Sequence, residues 1–118
     1  NTLDLKAGGI AALVQMARLF ALARGISAVG TAARFKAASA AGGLSAENAD
    51  NLVEAFEFIQ HVKLAHQARQ IRARQEPDNH VNPAELTGLE KRQLRDAFEI
   101  VRKMQGALGH VYQTQLTS

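Results

Sequence analysis

The sequence predicts an all-α fold, an antiparallel bundle of four main helices with a long third helix. Three observations carry this. Apolar residues recur at helical spacing along most of the chain, no segment alternates with period two, and both prolines, Pro77 and Pro83, fall in one short loop. Long amphipathic helices joined by short connections pack antiparallel.

The first helix is predicted over residues 9–24. Ile10, Leu13, Val14, Ala17 and Ala21 share a face. Met16, Leu19 and Phe20 widen it and leave a narrow polar stripe of Gln15 and Arg18, so the helix is expected at the centre of the bundle. Gly25 ends it. A short second helix is expected to start near Thr31, as its cap, and to stop at Gly42 and Gly43. Ser45 then caps a long helix over residues 46–73, with Ala49, Leu52, Val53, Phe56, Ile59 and Val62 as its core stripe. At 1.5 Å per residue it spans roughly 42 Å, so one end is expected to project. Asn82, Pro83, Ala84 and Glu85 read as one capped turn. Thr87 to Glu90 has the spacing of a capping box, which starts the last helix. Its apolar face is Leu94, Ala97, Phe98, Val101, Met104, Leu108, Val111 and Tyr112, with Gly106 and Gly109 weakening its end. Phe56 and Phe98 sit at the centres of their stripes and are expected in the core.

Composition limits the function classes. The 118 residues suit one helical domain, residues 1–118, and the Asn at position 1 suggests a piece of a longer multi-domain protein. Fourteen basic and 11 acidic residues give a net charge of +3. That excess suits an anionic partner but falls short of a dedicated nucleic-acid binder. Cysteine is absent, so no disulfide framework or thiolate metal site is expected, which suits a cytoplasmic location. Gln15, Arg18 and Arg24 interrupt the most apolar stretch, so no membrane span is expected.

Catalytic patterns are sparse. Nucleotidyl transfer uses metal ions held by paired carboxylates, and the chain has no Asp-x-Asp and no phosphate-binding glycine loop. His61 and His66 are five apart and do not share a helix face, so no metal site is expected. By itself the chain is not expected to be an enzyme.

The opening stretch "LDLKAGGI" is the main candidate site. A helix start with Lys6, Gly8 and Gly9 suits an anion, with Asp4 orienting Lys6 or a hydroxyl. The plainer alternative is that Asp4 caps, Lys6 is solvated and the glycines turn the chain. Arg18, in a largely apolar helix, needs a partner, either Glu54 or Glu57 across the bundle or a phosphate. His66 and Gln67 suit a polar network between the third and fourth helices, and Asp78 and Asn79 suit a closed turn. Arg69, Arg72, Arg74, Lys91, Arg92 and Arg95 gather where these helices meet. They form either a solvated face or a surface for an acidic domain or nucleic acid.

"LDLKAGGI" with Arg18, "LVEAFEFI", "KLAHQ", "PDNHVNPAEL" and "LEKRQLRDAF" occur in order along nearly the whole chain. Together they resemble the nucleotidyltransferase substrate-binding domain. That is the helical C-terminal module of bacterial signalling proteins carrying CBS or cyclic-nucleotide-binding domains and a nucleotidyltransferase domain. The opening is also similar to the segment that starts the helical part of PII uridylyltransferase and glutamine-synthetase adenylyltransferase. The resemblance points to Asp4, Lys6, Gly9, Arg18, His66, Gln67, Asp78 and Asn79. Lys63 departs from the family's usual arginine and Ala12 from its common proline.

The resemblance implies an accessory domain that binds substrate or closes an active site built mainly by a nucleotidyltransferase domain of the same chain. It implies Mg²⁺ and a nucleoside triphosphate for the intact protein and no cofactor for this part. A nucleotide or an acceptor protein is the expected partner, with nucleic acid disfavoured. Two other readings stay open: a regulatory interaction or homodimerisation module, and an RNA-binding bundle using the basic end.

Overall fold

The computed structural model describes the backbone of residues 2–117 and side chains as far as Leu108. The side chains of Val111 and Tyr112, expected on the last helix's apolar face, lie outside the described residues, as does that of His110.

The chain is a helical bundle, as the periodicity predicts. Strand β1 (Leu3–Asp4) leads into a wide π-helical turn, Lys6–Ile10, which runs directly into α1 (Ala11–Arg24). The helical run thus begins three residues earlier than the sequence suggests. Gly25 ends α1 in the left-handed conformation, φ 63°, which costs glycine no Cβ clash. Helix α2 spans Thr31–Ala40. Its cap is Gly30, and Thr31 is the first helical residue with no side-chain cap bond, contrary to expectation.

Helix α3 (Ala46–Arg72) is capped by Ser45, whose hydroxyl accepts from the Asn48 amide at 3.1 Å. It ends with Arg74 in the left-handed region, φ 57°, and the Gln75 amide bonded back to the Gln70 carbonyl at 2.8 Å. This sharp ending sends residues 75–79 back along the helix they have just left. Strand β2 (His80–Val81) follows, then a single 3-10 turn, Pro83–Glu85, with a complete capping box from Asn82 and Glu85. Helix α4 runs Gly88–Thr117, carried through Gly106 and Gly109. The Thr87–Glu90 box is formed in both directions, at 2.9 and 3.1 Å.

Asn48 and Leu52 share a hollow with Met104 and Ala107, while Ala55 and Phe58 share one with Gln93 and Ala97. Early α3 therefore meets late α4, and the two helices are antiparallel. Helix α1 packs on α2, and α2 on α3. The π-turn wedges between α3 and α4.

One cluster joins the four helices and strand β2: Leu5, Leu13, Met16, Phe35, Leu52, Ile59, Val62, Val81, Leu94 and Val101 are among its buried members. Two expectations change. Phe56 and Phe98 are only half-buried, packed at the margin of the core, and among the described residues the fully buried aromatic ring is Phe35. The short α2 lies between α1 and α3, so its central ring is enclosed from both sides, with Phe20 edge-on at 6.3 Å between centroids. Second, strands were not expected. β1 and β2 form a two-residue antiparallel ladder, with Leu3 opposite Val81 and Asp4 opposite His80.

Lys6–Arg24 is, by length and composition alone, apolar enough to cross a membrane, which the interrupting polar residues were expected to prevent. In the bundle, Leu13, Met16 and Ala17 of this segment are core residues.

Candidate functional site

The opening turn is built from both ends. The Leu5 amide donates to the Asn79 carbonyl at 2.8 Å, continuing the β ladder, and the Leu5 side chain is fully buried. Asp4 then caps the helical run: one carboxylate oxygen accepts from the amides of Lys6 at 3.0 Å and Ala7 at 3.1 Å. The Ala7 bond foremost, joined by the Lys6 bond, outweighs the opposing effect of burial and holds the Asp4 carboxyl below its ordinary range. The Ile10 amide reaches the Leu5 carbonyl at 3.0 Å and closes the wide turn.

The two glycines differ. A Cβ on Gly9 would lie 3.1 Å from Ile59 Cδ1 and 3.1 Å from Phe98 Cε1, so any larger residue would need both side chains to give way for the turn to sit this deep between α3 and α4. A Cβ on Gly8 would make ordinary contact with Phe98 at 3.5 Å. Lys6 is exposed. Arg18 is exposed as well, on the solvent side of α1, and neither Glu54 nor Glu57 pairs with it. The expectation of a structural ion pair across the bundle is therefore not met: the narrow polar stripe of α1 faces water.

The second cluster centres on His66, which is 4% exposed. Its Nδ1 lies 2.9 Å from Glu85 Oε2 and its Nε2 lies 2.8 Å from Asp78 Oδ1. Carboxylates only accept, so both ring nitrogens donate and the ring is an imidazolium. Burial opposes that charge, but the two carboxylates outweigh it and raise the His66 pKa. The bond from His66 in turn lowers the carboxyl of Asp78. Burial pushes Glu85 upward, and the bonds from His66 and Arg69 more than reverse this. Arg69 reaches the same Glu85 oxygen at 3.0 Å. Gln67 donates to the Asp78 carbonyl at 3.1 Å and, at 3.4 Å, to the Asn79 side chain. Asp78 Oδ1 also accepts from the His80 amide at 3.1 Å, a bond that tightens the turn.

The structure thus brings His66, Gln67, Asp78 and Asn79 together. The partners sit on the returning loop rather than on α4, where the sequence suggested them. Since Asn79 also binds Leu5, the cluster fixes the loop that fixes the opening turn.

A third feature was missed by sequence reasoning. Between the opening turn and α4 lies an open groove of about 580 Å³. Leu3, Asp4 and Gly8 form one wall; Lys91, Leu94, Arg95, Phe98, Arg102 and Gln105 form the other, along one stripe of α4. Lys91 and Arg95 were visible as members of a basic cluster, but Arg102 was not. Lys91 and Arg95 have no carboxylate partner among the described residues, and Arg102 has only Glu99, 3.9 Å away on the exposed face. The signal was present as 91, 95, 98, 102 and 105, a helical repeat that mixes cations with apolar residues. Asp4 and Gly8 thus face the groove, whereas Lys6, Gly9 and Arg18 are not among its walls.

Chemically, the His66 cluster is self-satisfied, and the groove offers two unpaired cations, a third held weakly, a carboxylate and an apolar floor. Among the described residues no group of three or more acidic or histidine side chains could hold a metal ion.

A search of curated proteins and a search of solved structures each return no match. A family model does match, over residues 1–112, and its description is "Putative nucleotidyltransferase substrate binding domain". The match takes in the opening turn, the His66 cluster and the groove, and the chain belongs to this family.

Proposed function

We propose that this chain is a non-catalytic accessory domain that holds substrate beside a nucleotidyltransferase domain of the same protein, and that the groove along α4 is where it does so. The observation that carries this is the pair of unpartnered cations, Lys91 and Arg95, in a concave surface with an apolar floor. Exposed charges on a convex helix face are ordinary, whereas charges converging on a hollow beside apolar side chains describe a binding site. The family description supports association with a nucleotidyltransferase domain. The catalytic carboxylates, Mg²⁺ and nucleoside triphosphate chemistry belong to that domain. Membership of a cytoplasmic bacterial signalling protein is part of the same proposal.

Steady-state kinetics test it. In the protein carrying its nucleotidyltransferase domain, Lys91→Ala with Arg95→Ala raises the substrate KM about tenfold or more, with a smaller change in kcat. An unchanged KM overturns the assignment of the groove. Nucleotidyl transfer by this chain alone, persisting through repurification, overturns the non-catalytic reading.

A further inference from the structure

We infer that the groove takes a nucleoside phosphate, with the phosphate on Lys91 and Arg95 and the base against the apolar side chains of Leu3 and Phe98. This rests on the substrate-holding reading above and names the ligand's chemistry.

Three features of the walls define that chemistry. Lys91 and Arg95 are one helical turn apart, so their heads can converge on one anion, and arginine adds a planar fork suited to phosphate oxygens. The floor is apolar and includes the half-buried Phe98 ring, which suits a flat, weakly hydrated body. Asp4 supplies the third requirement. Its Oδ1 is taken by the amides of Lys6 and Ala7, so the other oxygen is the one left to accept from a ligand. An ionised carboxylate cannot donate, so the ligand must present a donor there.

These requirements exclude simpler occupants. A bare polyphosphate would meet repulsion from Asp4 and leave the floor uncovered. A fatty or purely aromatic ligand would leave both cations and the carboxylate without partners, at a desolvation cost. A nucleoside phosphate satisfies all three, with the ribose hydroxyls on Asp4 and Gln105 available to the edge of the base. The volume of about 580 Å³ lies in the usual range for such ligands.

Calorimetric titration of the 118-residue chain tests the assignment, with ATP, 2′,3′-dideoxy-ATP, tripolyphosphate and a single-stranded RNA hexamer as probes. ATP is expected to bind at one saturable site, and tripolyphosphate at least tenfold more weakly. Arg95→Ala loses about tenfold in ATP affinity, the effect of one charged hydrogen bond. The dideoxy analogue binds several-fold more weakly than ATP to the native chain but equally to Asp4→Asn, which retains the capping oxygen. Lys36→Ala, on the exposed face of α2, leaves affinity unchanged and serves as the control. Thermal melts confirm that each variant is folded.

Tripolyphosphate binding as tightly as ATP reduces the groove to an anion patch and overturns the inference. So does the absence of saturable ATP binding at millimolar concentration. RNA binding far more tightly than ATP, with a steep salt dependence, reassigns the groove to nucleic acid and also overturns it. If ATP does not bind but Lys91→Ala with Arg95→Ala raises KM in the intact protein, the substrate-holding reading stands and only the nucleotide assignment falls.

Discussion

The His66 cluster and the α4 groove flank the same short ladder of strands, and both are rich in charge. They differ in whether that charge has partners. Around His66 the charged groups meet complements: two carboxylates on one imidazolium, a guanidinium on one of them, and the His80 amide on the other. In the groove, Lys91 and Arg95 have none. Satisfied polar groups fix a backbone, because any motion breaks bonds that water would have to replace. Unsatisfied charges in a hollow cost little while water reaches them and become useful when a complementary ligand displaces it. Residue type alone does not distinguish the two cases. Histidine and aspartate look catalytic and here hold a loop, whereas lysine and arginine on a helix look merely solvated and here line a cavity.

A change that touches neither region sets the scale. Phe35 is fully buried between α1 and α3, so Phe35→Ala is expected to cost about 3–5 kcal/mol in denaturant unfolding. Phe56→Ala, at the margin of the core, should cost clearly less. Equal losses would mean that α2 does not organise the core. Neither variant should alter ligand affinity in chains that remain folded.

His66→Ala breaks the comparison from the structural side. It leaves Asp78 and Glu85 facing each other without their shared cation, at a cost of about 1–3 kcal/mol. Because the loop also holds Leu5, amide hydrogen exchange should rise at Leu5 and Val81 together. Protection that persists at both amides would show that the loop is held by other means.

The same cluster predicts a pH profile. The His66 pKa is raised, so its contribution is complete below the ordinary imidazole value of about 6.5 and is lost as pH rises through the folded-state value. Asp78 and Glu85 are lowered, so their contribution is present above about 4.5 and is lost as pH falls through their folded-state values. The melting temperature of the native chain minus that of His66→Gln should therefore peak between about pH 4.5 and 6.5. A difference that stays flat from well below pH 4.5 to well above pH 6.5, with no fall on either side, would sink the imidazolium assignment.

Much of this was legible in the sequence, and what was missed shares a cause. Ser45, the Thr87–Glu90 box, Gly25 and the prolines act within a few residues, and they gave the helix ends nearly as observed. Periodicity gave the core faces of α1, α3 and α4. What failed depends on contacts distant in sequence. The ladder joins residues 3–4 to 80–81, too short on either side to show alternation. Phe35 is enclosed only because α2 lies between two longer helices. Arg18 faces water because the bundle closes on the other side of α1. The groove exists only where residues 3–8 cross α4, so its basic stripe was visible but its concavity was not.

The glycines test how far the opening turn serves packing. Gly9→Ala places a methyl 3.1 Å from both Ile59 and Phe98, tighter than most real contacts, and should cost about 1–3 kcal/mol if those side chains cannot shift. Gly8→Ala meets Phe98 at 3.5 Å and replaces a glycine within a helical turn, so it should be neutral or slightly stabilising. Since Gly8 also lines the groove, its methyl is expected to lower ligand affinity more than stability. Equal melting temperatures for the two variants would mean that the turn is not wedged as described.

Lys6→Ala carries the smallest expected effect and separates the two regions most directly. The lysine is exposed, its own amide is already bonded to Asp4, and its side chain is not among the groove walls. Stability should change by less than about 0.5 kcal/mol, as for most surface substitutions. If ligand charge is met on α4, the affinity for ATP should stay within about twofold of native, reflecting only the loss of one nearby positive charge in a screened setting. If ligand charge is instead met at the start of the helix, as the cation, the glycines and the helix start suggest from sequence, the loss should reach about tenfold, the effect of a charged hydrogen bond. Asp4 argues for the smaller number. Its carboxylate already occupies the amides of Lys6 and Ala7, and a phosphate placed there would have to displace or lie against a negative charge. Lys6→Ala and Arg95→Ala, titrated side by side with ATP, therefore locate the anion by which of the two loses affinity.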